Sequence, residues 1–140
     1  MIYGLNKEYN MVIAVDVDMY HASVVFMVES DIHEFNMLYY DNVSKITDEE
    51  YKCMLNDIEN PCLCNGFTIA LDSGAIIVYL RHADYEEDVA HEIFHAANRI
   101  LCKRGFELDE SGEAWAYLVG YLTRKFYEAL KEKNDEETDT

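Results

Sequence analysis

Up to Leu80 the apolar residues of this chain fall in short runs, and beyond Asp84 they recur at helical spacing. Met11–Val17 alternates weakly and Ala22–Val28 is β-branched and apolar, so both read as strands. In GFTIALDSGAIIVYLRH, residues 67–71 and Ala75–Leu80 read as two more strands, joined by a turn at Asp72, Ser73 and Gly74. Asp31 caps a short helix over about 31–41, and TDEEYKCMLNDIEN, opened by the Thr47/Glu50 spacing of a capping box, is a second. A long helix follows over 84–103, with Asp84 and Glu87 as its capping box and Gly105 as its stop. A final helix over about 110–131 brings Trp115, Leu118, Val119, Leu122 and Phe126 to one face, directed at the core. Strands and short helices, then a hairpin, then two helices make an α+β order with a short mixed sheet.

A length of 140 residues suits one domain, and a composition that is half hydrophobic can bury a core. One proline and the lack of a Ser- or Gly-rich stretch leave no linker, so residues 1–131 read as a single domain. Residues 132–140 are polar and mostly acidic and read as a disordered tail. The opening MIYGLNKEYN carries charges and no apolar run, which predicts no secretory signal and a cytoplasmic chain. Neither Ala22–Val28 nor Ala75–Leu80 is long enough to span a bilayer, so no membrane partner is expected.

Eleven basic residues against 28 acidic ones give a formal net charge of -17, a surface that repels nucleic acid. Of Cys53, Cys62, Cys64 and Cys102, only Cys62 and Cys64 form a close C-x-C pair, and no second pair matches it. Structural zinc sites use two such pairs or one pair with spaced histidines, so the cysteines read as reduced thiols.

Within the long helix lies His91-Glu92-Ile93-Phe94-His95, an H-E-x-x-H sequence. Residues i and i+4 share a helical face, so both imidazoles can point at one metal ion. Glu92, next to the first histidine, suits a general base that takes a proton from water and gives it to a leaving amine. Ala75–Leu80, read as an exposed edge strand just before the helix, suits an extended peptide or protein substrate bound by main-chain hydrogen bonds. A catalytic zinc needs a third protein ligand, and no histidine follows His95. Asp109, Glu110 and Glu113 are the candidates. Glu113, at the opening of the apolar helix GEAWAYLVGYL, is the preferred one.

HEIFHAANRIL followed by ESGEAWAYLVGY resembles the gluzincin type of zincin-like metallopeptidase, and in particular the small zincin-like proteins of tailed bacteriophages. The resemblance covers about residues 76–130. It implies a small zincin-like domain whose active-site helix is followed by a helix carrying the third ligand. It also implies Zn2+ held by His91, His95 and Glu113, with Glu92 as the base, and, for a phage protein, the host cytoplasm. Many gluzincins place an aspartate four residues after the ligand glutamate to orient a metal histidine; here that residue is Tyr117. Tyr117, Tyr121 and His82 are candidate oxyanion stabilisers. Asn98 shares the face of His91. The alternative reading is a non-catalytic, acidic interaction or inhibitor protein of phage type with a structural or vestigial metal site. The oligomeric state is not legible.

Overall fold

The computed structural model describes residues 11–29, 48–59, 65–71 and 74–138. In chain order these form β1 (Met11–Val17), β2 (Ala22–Val28), α1 (Asp48–Glu59), β3 (Gly66–Ala70), β4 (Ala75–Leu80), α2 (Glu86–Lys103) and α3 (Gly112–Thr138). The strands expected at 11–17, 22–28 and 75–80 form with those bounds, and the one expected at 67–71 forms a residue earlier. The helix expected at 31–41, residues Asp72 and Ser73 of the turn, and the C-x-C pair lie outside the described residues.

The result is a small α+β domain around a four-stranded mixed sheet, ordered β1-β2-β4-β3. β1 pairs antiparallel with β2, β2 parallel with β4, and β3 antiparallel with β4. Side chains alternate between the faces of a strand, and the core divides accordingly. Ile76, Val78 and Leu80 of β4 join Val24, Phe26 and Val28 of β2 beneath α2 and α3. Ile77 and Tyr79 of β4 join Met27 of β2 and pack with Met54 and Ile58 of α1 on the other face. The sheet is thus a middle layer, with α1 on one side and α2 and α3 on the other.

The expectation that Ala75–Leu80 is an exposed edge strand is corrected here. β4 lies between β2 and β3, and five of its six residues are buried. Its unbroken apolar run is what a strand covered on both faces requires, since an edge strand open to water on one face alternates instead. Among the described residues the edge on this side of the sheet is β3.

Chain ends of the helices follow local chemistry, with one departure. The expected Asp84/Glu87 capping box does not form: Tyr85 is the residue before α2, and no side chain caps the first turn. Glu86, Glu87 and Asp88 sit in that turn instead, where negative charge complements the helix dipole. At the other end Gly105 takes φ +86°, its N–H bonds Cys102 O at 3.0 Å, and the Phe106 N–H bonds Leu101 O at 3.1 Å. This pair of bonds is a Schellman stop, and a left-handed residue is what it requires. Arg81 donates to the carbonyls of Asp57 and Ile58, setting a cation on the last turn of α1.

On α3, Trp115, Leu118, Leu122 and Phe126 are buried and Val119 is partly so, the expected stripe. Phe126 meets Phe26 of β2 at a ring-centroid distance of 5.2 Å. Burying two such rings contributes roughly 1.5–3 kcal/mol each. The helix continues past Lys131 into the acidic segment, as far as Thr138. Tyr127, further along α3, has its phenol raised above the ordinary 10.0 by burial and then by the Glu86 carboxylate. Among the described residues no helix is long and apolar enough to cross a membrane.

Candidate functional site

The rotation of α2 is set by its buried stripe, Val89, Ile93, Ala96, Ala97, Ile100 and Leu101, which faces the sheet. Each residue advances about 100° around a helix. His91 and His95 therefore emerge together on the exposed side, and Glu92 turns down beside them against β3. The Nε2 atoms of His91 and His95 are 3.2 Å apart, with the ring planes at 73°. Two nitrogens at that distance either share one proton as N–H···N or hold one cation between them. A tetrahedral zinc with bonds of about 2.0–2.1 Å needs its nitrogen ligands roughly 3.3–3.4 Å apart. The pair fits that requirement without a change of backbone.

Glu92 is the buried charged residue of the described core, 7% exposed. Its Oε1 accepts a hydrogen bond of 2.7 Å from the Thr68 hydroxyl on β3, and its Oε2 lies 3.9 Å from His91 Nε2. One oxygen is held, and the other is turned toward the histidine pair. Gly66, two residues before Thr68 on the same face of β3, makes room for this arrangement. A Cβ there would lie 3.2 Å from Glu92 Cγ and only 2.6 Å from the Tyr79 carbonyl oxygen. Neither Gly66 nor Thr68 stood out in the sequence. The signal was a glycine and a hydroxyl at i and i+2 of an otherwise apolar strand, and it acquires meaning only once β3 is seen to be the edge under α2.

Other sequence candidates stand elsewhere. Glu113 is exposed in the first turn of α3, roughly opposite the Trp115–Leu122 stripe on its helix, and Asp109 and Glu110 are exposed in the preceding loop. Among the described residues no group of three or more His, Cys, Asp or Glu side chains gathers to hold a metal ion. The structure therefore brings His91, His95 and Glu92 together and does not bring Glu113 to them. Tyr117 and Tyr121 line a groove beside the β1–β2 turn. The His82 ring packs on Tyr85 at 4.5 Å. Asn98 Oδ1 accepts from the Cys102 thiol one turn along at 3.5 Å. Cys53 and Cys102 are both free and exposed. No protein-family model, no curated protein and no solved structure matches this chain.

Proposed function

We propose that the chain is a zinc-dependent, peptidase-like hydrolase of zincin type. The observation that carries this reading is the His91–His95 pair, Nε2 to Nε2 at 3.2 Å, with the Glu92 carboxylate held beside it. In this reading His91 and His95 hold the ion and Glu113 is the third ligand. The assignment of Glu113 rests on the sequence resemblance, and the variants named below test it apart from the histidines. When bound, zinc supplies Lewis acidity, which makes water a competent nucleophile near neutral pH and polarises a carbonyl.

The rest of the chemistry belongs to the chain. Glu92 Oε2 faces the histidines and takes the proton of the attacking water, then delivers it to the departing amine. Thr68 keeps Oε1 engaged, so the carboxylate has one free oxygen in a defined place. β3, the sheet edge beside α2, offers main-chain groups to an extended peptide substrate, which aligns the scissile bond.

Glu92→Gln tests the mechanism. The amide keeps the shape of the site but does not accept the proton, and loss of a general base costs about 100- to 10,000-fold in rate. The expected result is full zinc content with cleavage of a denatured casein substrate lost. A variant that cleaves at the wild-type rate removes Glu92 from the mechanism. A wild-type protein that holds zinc but cleaves nothing favours the acidic interaction module.

A further inference from the structure

At the opposite edge of the sheet from Thr68 and Glu92, the β1–β2 turn faces the first half of α3 across a groove of about 450 Å3. Its floor is apolar, with Val17 and Leu118 both buried. Tyr20, Tyr117, Tyr121 and Met19 form its walls, the exposed Asp18 lies on its turn, and Asp16 contributes its main-chain carbonyl. Met19 on the turn is 80% exposed and Tyr117 on the helix 75%. Large side chains held in water on both walls of one concavity mark a binding surface.

The walls also show what they attract. Tyr121 is anchored, its hydroxyl donating to the Asp16 carbonyl at 2.9 Å. The Arg124 guanidinium carbon and the Lys125 ammonium each lie 5.8 Å from the Tyr121 ring centre. The charge of Arg124 is offset by Glu128 at 3.6 Å. The rings of Tyr20 and Tyr117 carry no such cation among the described residues.

We propose that this groove binds an arginine side chain presented by a basic segment of a protein partner. A guanidinium is planar, weakly hydrated and stacks on aromatic faces, which suits the rings of Tyr20 and Tyr117 better than a compact ammonium does. Asp18 on the turn offsets its charge. A net charge of -17 draws a basic partner toward the surface and turns an acidic one away. The site stands apart from the hydrolase reading, since neither histidine nor Glu92 lines it.

The test is an NMR titration of the isotope-labelled full chain with acetyl-Ala-Arg-Ala-amide at physiological salt. Its citrulline counterpart has the same shape without the charge, and its lysine counterpart the charge without the plane. The arginine peptide should give saturable shifts at residues 16–20 and 114–121 and bind about tenfold tighter than the citrulline peptide. Asp18→Asn, and separately Tyr117→Ala at an exposed position, should each weaken it about three- to tenfold while the rest of the spectrum stays native. Five results overturn the proposal. They are no binding, equal binding of the citrulline peptide, equal binding of the lysine peptide, non-saturating shifts spread over the acidic surface, and unchanged affinity in both variants.

Discussion

One hydrogen bond decides which oxygen of Glu92 is available. The Thr68 hydroxyl holds Oε1 at 2.7 Å under a buried carboxylate. Thr68→Val keeps the β-branched shape and removes the donor, leaving that oxygen buried without its partner. A loss of about 1–3 kcal/mol in urea unfolding is expected, with Thr68→Ser recovering most of it. A valine variant as stable as wild type would mean that the bond contributes nothing. At this scale the histidines and Glu92 were legible, because i, i+4 spacing on a helix is geometry that sequence contains. Thr68 was not, because its partner is 24 residues away and pairing across a sheet edge leaves no local pattern.

Among elements, α2 does the most to arrange the site, since its buried stripe aims the histidines outward and Glu92 down. Its end is set by Gly105 at φ +86°, where a side chain would be strained. Nothing crowds a Cβ there, so Gly105→Ala isolates the backbone cost, expected at roughly 1 kcal/mol in thermal or chemical unfolding. No loss of stability would contradict the left-handed stop. The bounds of β1, β2 and β4 and the α3 stripe were readable from hydrophobic period. The rank of β4 within the sheet was misread, because an apolar run states that a strand is buried on both faces but not which strands flank it. The Asp84/Glu87 box had the right spacing, yet the helix begins at Glu86, two residues beyond the residue meant to cap it.

For the whole molecule, two features dominate: a net charge of -17 and a histidine pair on an exposed helical face. Self-repulsion of like charges opposes the folded state, and salt screens it as the Debye length falls from about 30 Å at 0.01 M to about 8 Å at 0.15 M. The melting temperature should therefore rise over that range of sodium chloride, and a fall would show that specific ion pairs outweigh the net charge. The histidine pair carries the functional claim. Its most direct test is the metal content of the purified chain by elemental mass spectrometry, beside His91→Ala, His95→Ala and Glu113→Ala. The account predicts near-stoichiometric zinc in wild type and its loss in each folded variant. If only Glu113→Ala keeps its zinc, the histidine site stands and the third ligand is another residue. A folded wild-type chain that stays metal-free after incubation with zinc would contradict the account.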